Sequence, residues 1–113
     1  MGFKSSLKQL IRSKLETTTN FLGDNKVGRI MFEQMVNQCM QRTRRINHQG
    51  LEMCFSVPNE LNHFRATTFS TKEPETLEWI DRLPEGCVLW DIGANVGLYT
   101  VYAALRRRCR VVA

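Results

Sequence analysis

The sequence predicts an α/β chain, with a parallel βαβ unit at its C-terminal end, preceded by a short β-hairpin and an α-helical N-terminal extension. Three patterns carry that expectation. Residues 88–113 pass from an apolar strand through a glycine-containing turn into a helix and then a second apolar strand. Leu51, Met53, Phe55 and Val57 alternate with Glu52, Cys54 and Ser56, the period of a half-buried strand. Residues 1–50 instead place apolar side chains at helical spacing. The division expected is a helical extension over 1–50 and the first part of an α/β domain over 51–113.

In chain order, Ser6-Leu7-Lys8-Gln9 has the form of a capping box, which starts a helix there. Leu7, Leu10, Ile11, Leu15 and Leu22 form its apolar face, and Thr17-Thr18-Thr19-Asn20 loosens its end before Gly23. Asp24 or Asn25 caps a second helix whose core-facing side holds Val27, Ile30, Met31, Met35, Val36 and Met40. Its tail is Gln41-Arg42-Thr43-Arg44-Arg45, cations that suit a helix C-terminus. The strand over 51–57 turns at Pro58-Asn59-Glu60, and His63–Phe69 is expected to pair back on it as the hairpin's second strand. Pro74 then opens a helix that buries Leu77 and either Trp79 or Ile80. The last helix presents Leu98, Val101, Tyr102 and Leu105 on one face, with Arg106, Arg107 and Arg108 as its solvated cationic end.

Composition narrows the class. The chain has 113 residues, 42% of them hydrophobic, which suits one soluble globular domain. A net charge of +5 favours anionic partners only weakly, and no aromatic residues interleave the basic clusters, so nucleic-acid binding is not expected. No apolar run is long enough to span a bilayer, and no secretory signal is present, so a cytoplasmic location is expected. Met1-Gly2-Phe3-Lys4-Ser5-Ser6 matches the loose N-myristoylation pattern, against which a frayed helix start is the favoured reading. Cys39, Cys54, Cys87 and Cys109 lack paired metal-ligand spacing and read as reduced thiols with no metal site and no disulfide framework.

The chemistry centres on Val88-Leu89-Trp90-Asp91-Ile92-Gly93-Ala94-Asn95-Val96-Gly97. A strand, a turn of small residues and a helix amide terminus together make a cofactor cradle. The spacing is G-x-N-x-G over Gly93, Asn95 and Gly97, not the dinucleotide fingerprint G-x-G-x-x-G. Asn95 puts a polar side chain where a diphosphate needs bare backbone, which suits a ligand bearing amino and carboxylate groups. Asp91 has two open roles: accepting from a cationic amine, or bonding within the turn. Glu73 likewise is either a helix-start carboxylate favoured by the dipole or a group that binds the ligand amine.

The stretches Phe55-Ser56-Val57-Pro58-Asn59, Arg65 with Thr68-Phe69, Lys72 through Asp81, and Trp90 through Tyr99 together resemble the FkbM family of S-adenosylmethionine-dependent methyltransferases. The resemblance runs from about Cys54 to Ala113. It implies a Rossmann-like class I methyltransferase fold, S-adenosyl-L-methionine as cofactor, and methyl transfer to a hydroxyl oxygen of a sugar or natural product. The family's cofactor motif falls on Asp91, Gly93, Asn95 and Gly97, with Glu73 near the methionine end. No catalytic base is identified; His48 and His63 read as isolated surface or turn histidines.

One departure matters. The acidic residue that holds the ribose hydroxyls stands about 20 positions after the glycine turn in such folds, which falls at or past Ala113. The chain is therefore expected to be an N-terminal fragment with little or no activity alone, and a micromolar affinity for S-adenosylmethionine in titration calorimetry would overturn that. Two alternatives stand beside it. One is a nicotinamide-cofactor dehydrogenase fragment, disfavoured by Asn95. The other is a non-enzymatic basic helical interaction module working through residues 1–50.

Overall fold

The computed structural model describes residues 2–113, with side chains from residue 4 onward. Among the described residues the chain is mixed α/β, with six helices and two small sheets, one an antiparallel hairpin and the other a parallel pair. It divides into two compact units, Met1–Gln38 and Cys39–Ala113.

The first unit consists of helix α1 (Gly2–Gly23) and most of helix α2 (Lys26–Met40). Helix α1 begins before the expected capping box, so Ser6 lies inside it and not at its cap. The threonines do not end it either. Thr17 and Thr18 donate their hydroxyls to the Ser13 and Lys14 carbonyls at 3.0 and 2.9 Å, which satisfies those groups inside the helix. Asn25 is the cap of α2, its Oδ1 accepting from the Gly28 amide at 2.7 Å. Gly28 is buried against the Leu22 backbone, where a Cβ would overlap the Leu22 carbonyl oxygen. The expected burial of the apolar faces does not occur. Leu10, Leu15, Met31 and Met35 are 55–61% exposed, since two helices alone present more apolar surface than they can cover. The acylation pattern at Met1 starts outside the described residues.

The second unit opens with strand β1 (Thr43–His48) paired antiparallel to strand β2 (Leu51–Ser56). Here the structure corrects the sequence reading twice. Arg44 and Arg45 belong to a strand and not to a helix tail, and the hairpin partner of β2 precedes it. The turn explains both. Gln49 and Gly50 have φ of 49° and 82°, the two left-handed residues of a tight hairpin turn, and Asn47 Oδ1 accepts from the Gly50 amide at 3.1 Å. Residues 63–69 instead lie in helix α3 (Glu60–Thr67) and the single turn α4 (Phe69–Lys72). Asn59 nucleates α3, its side chain accepting from the Asn62 amide at 2.9 Å.

Helix α5 (Pro74–Asp81) starts at Pro74 as expected and buries Leu77 and Ile80, leaving Trp79 53% exposed. Strand β3 (Val88–Trp90), helix α6 (Leu98–Arg107) and strand β4 (Arg110–Val112) follow, and β3 and β4 pair in parallel, Leu89 opposite Val111. The core joins the inner face of β2 to α4, α5 and α6 through Met53, Phe55, Phe69, Leu77, Ile80, Leu98, Tyr102, Ala103 and Cys109. Each large apolar side chain buried there contributes about 1.5–3 kcal/mol. Strand β3 is covered on one face only: Val88 and Trp90 are 59% and 70% exposed. Leu89 and Val111 pack on the core while the opposite face of the pair stays open, because α6 covers one side only.

The three arginines after Leu105 form the expected solvated end only in part, since Arg108 is 82% exposed while Arg106 and Arg107 also reach distant partners. Arg106 Nε donates to Asp81 at 3.2 Å and its Nη2 to Gln49 at 3.1 Å, tying α6 to α5 and to the hairpin turn. Arg107 donates to the Leu83 carbonyl at 2.7 Å, and Arg108 pairs with Glu85 at 3.3 Å.

Candidate functional site

The loop between β3 and α6 takes its shape from alternating backbone chirality. Gly93, Asn95 and Gly97 have φ of 80°, 56° and 75°, so every second residue is left-handed. Glycine adopts that region freely, and asparagine is the side-chain-bearing residue that tolerates it best. The G-x-N-x-G spacing is therefore a conformational requirement as well as a chemical one. A Cβ on Gly93 would meet nothing within 4 Å, so its constraint is the dihedral angle and not crowding. Gly97 is the N-cap residue of α6.

Five of the loop's residues line a cavity of about 200 Å³ in the second unit: Asp91, Gly93, Ala94, Asn95 and Val96. Arg65 from α3, Phe69 and Lys72 from α4, Glu73 between α4 and α5, and Leu98 and Tyr99 from α6 complete it. Two cations and two carboxylates thus meet at the carboxyl end of β3, where ligands bind in open α/β sheets.

Each sequence-predicted residue has a definite place. Asp91 donates its amide to the Val112 carbonyl at 2.8 Å, and its Oδ2 accepts from the Thr100 hydroxyl, which ties the strand end to the first turn of α6. Asn95 Oδ1 accepts from Arg65 Nη1 at 3.0 Å, which clamps the loop tip to α3. Glu73 occupies the N-cap position of α5 but makes no capping bond. It accepts instead from Thr76 Oγ1 at 3.5 Å, and it lies close enough to Tyr99 for its charge to act on the phenol. Burial, then the Glu73 charge, pushes the Tyr99 phenol up to about 12. Gly97 shapes the loop without lining the cavity.

Arg65, Lys72 and Tyr99, which lie within the stretches carrying the family resemblance but have no expected site role, also line the cavity. Arg65 and Asn95 are 30 positions apart and meet only because α3 packs beside the loop. The histidines divide. His48, at the end of β1, packs edge-on against Phe69 and Tyr102 with centroids 5.6 and 5.4 Å away, and its Nδ1 is 2.8 Å from Ser70 Oγ. It is a core-edge residue and not a surface one.

A larger cavity, about 450 Å³, lies under Arg42, Arg44, Val57, Asn59, Glu60 and His63. It contains none of the left-handed loop and only one acidic group, so the smaller cavity is the better candidate for a zwitterionic ligand. Among the described residues no cluster of His, Cys, Asp and Glu is placed to hold a metal ion, and no helix is long and apolar enough to cross a membrane. No family model, curated protein or solved structure matches this chain.

Proposed function

We propose that residues 51–113 form part of a Rossmann-like S-adenosylmethionine-dependent methyltransferase domain, and that the cavity at the end of β3 receives the donor's amino-acid end. The observation that carries this reading is the convergence of Asp91, Asn95, Glu73, Arg65 and Lys72 on one small cavity at the end of a parallel strand. An α-ammonium group is matched by the carboxylates of Glu73 and Asp91, and an α-carboxylate by Arg65 and Lys72. The volume supports binding of one end of the donor, since whole small-molecule sites enclose roughly 300–1,000 Å³. The acceptor class proposed is a hydroxyl on a sugar or other small molecule.

Saturation-transfer NMR with S-adenosylmethionine tests the reading on this chain. Transfer is expected to the methionine methylene and S-methyl protons, reduced by Glu73→Gln and by Arg65→Met. Absence of transfer at millimolar ligand, or transfer indifferent to both substitutions, refutes it.

A second reading, the interaction module, is favoured by the exposed apolar faces of α1 and α2, where Leu15 and Ile30 are 61% and 50% exposed. It predicts concentration-dependent association in light scattering that Leu15→Asp with Ile30→Asp abolishes. A monomer at all concentrations counts against it.

A further inference from the structure

Cys87 and Cys109 stand one residue before the paired strands β3 and β4. The register opens with Val88 opposite Arg110, and the Arg110 amide donates to the Cys87 carbonyl at 2.8 Å, so the two cysteines are the next step of the same parallel ladder. Parallel neighbours run about 4.8 Å apart, inside the Cα separation of roughly 4.4–6.8 Å that a disulfide spans. Their side chains lie on the same side of the pair, and the two sulfurs are 2.8 Å apart. Both are free thiols in this structure. Their spacing of 22 positions in the sequence gives no sign of this; only the parallel register brings them together.

We propose that Cys87 and Cys109 are a redox-active pair that hydroperoxides oxidise to an intrachain disulfide across the base of the βαβ unit. Exposure sets the order of events. Cys87 is half-buried and Cys109 is only 6% exposed, so Cys87 meets the oxidant first. Burial, then the neighbouring Cys87, raises the Cys109 thiol, which makes Cys109 the second sulfur to react and not the first. The Cys87 thiolate attacks the peroxide, forming an S–O bond as the O–O bond breaks, and the departing hydroxide takes up a proton as water. The Cys109 sulfur then attacks the Cys87 sulfenic acid. An S–S bond forms, the S–O bond breaks, and hydroxide leaves as a second water with the Cys109 proton. Two thiols lose two electrons and two protons, and one hydrogen peroxide becomes two waters.

The bond encloses all of β3, the left-handed loop and α6. It closes at the amino end of β3, whereas the cavity lies at its carboxyl end, so oxidation stiffens the unit without filling the cavity. This inference does not depend on the methyltransferase reading. Cys54, exposed on the outer face of β2, and Cys39 serve as internal controls, since neither has a sulfur neighbour of this kind among the described residues.

The test uses the full chain, purified with dithiothreitol, desalted and treated with stoichiometric hydrogen peroxide. Non-reducing peptide mapping is expected to show the Cys87 and Cys109 peptides joined within one chain, with Cys39 and Cys54 still open to alkylation. Thermal melting is expected to rise by roughly 10 °C, because closing a loop of this length restricts the unfolded chain, and dithiothreitol reverses the rise. In Cys109→Ser the resolving sulfur is gone, and a dimedone adduct is expected on Cys87. Cys87 ending as sulfinic acid in the unaltered chain, or linkage through Cys54 between chains, overturns the proposal. Because the peptide map uses the unaltered chain, it decides the question even if the serine variant fails to fold.

Discussion

Tyr102→Phe isolates one hydroxyl in the middle of the core. The ring is fully buried and keeps its edge contacts with Phe69 and His48 in the variant, so only the bond to Asp81 is lost. That bond is 2.8 Å long and ends on a carboxylate that Arg106 also holds at 3.2 Å. A hydrogen bond to a charged group contributes about 1.5–3 kcal/mol. The Asp81 side chain is 24% exposed, so water can replace part of what it loses, which brings the expected cost to about 1–2 kcal/mol. A second signature lies at alkaline pH. Burial first, then the bond to Asp81, pushes the Tyr102 phenol up to about 12, against an ordinary value of 10.0 in the unfolded chain. The folded state thus keeps a proton that the unfolded state gives up between these values. The contribution is complete below pH 10 and is lost as pH rises toward 12, on the order of 1.4 kcal/mol per unit. Phenylalanine cannot titrate. Urea denaturation followed by far-ultraviolet circular dichroism should therefore show a gap between the two proteins at neutral pH that narrows above about pH 10 and closes before about pH 12. A variant as stable as the parent at neutral pH, or a gap that stays constant through the alkaline range, refutes the reasoning.

Three further outcomes follow from the same geometry. In a Tyr102→Phe background, which leaves Tyr99 as the single tyrosine, Glu73→Gln should bring the phenol down from about 12 toward its ordinary value when phenolate absorbance is titrated. An unchanged titration breaks the Glu73–Tyr99 pairing. Gly97→Ala should cost about 1 kcal/mol, a backbone penalty at φ 75°, because its Cβ would stand 3.9 Å from the Thr100 Cβ without overlap. A neutral effect in chemical denaturation means the loop relaxes out of the left-handed region. Leu77→Ala, at a residue 2% exposed between α5 and the core, should cost about 2–5 kcal/mol. A loss under 1 kcal/mol would mean α5 is not seated as described.

The legibility of the site was uneven for physical reasons. Asp91, Asn95 and Glu73 carry polar groups where small residues or a proline mark a turn, and a turn is a local event, so reading the chain finds them. Arg65, Lys72 and Tyr99 arrive from helices whose packing fixes them around the cavity, and no spacing rule links Arg65 to a residue 30 positions later. The misplaced hairpin has a related cause. Thr43–His48 carries one aliphatic side chain, Ile46, and its strand conformation is imposed by the Gln49-Gly50 turn and by pairing with β2. Residues 63–69 look strand-like in composition, yet the Asn59 cap commits them to helices.

By itself the sequence determined the local events: the helical periodicity of the N-terminal region, the alternation of β2, the proline start of α5, and the strand–turn–helix–strand order at the C-terminal end. These depend on residues within a few positions of one another, where backbone preference and side-chain period act directly. Tertiary structure decided which strand pairs with β2, that the apolar faces of α1 and α2 stay exposed, that Arg106 and Arg107 tie α6 to distant residues, and that Cys87 meets Cys109. Each of those outcomes depends on which distant surface an element meets. Sequence period specifies the face an element offers but not the partner that covers it.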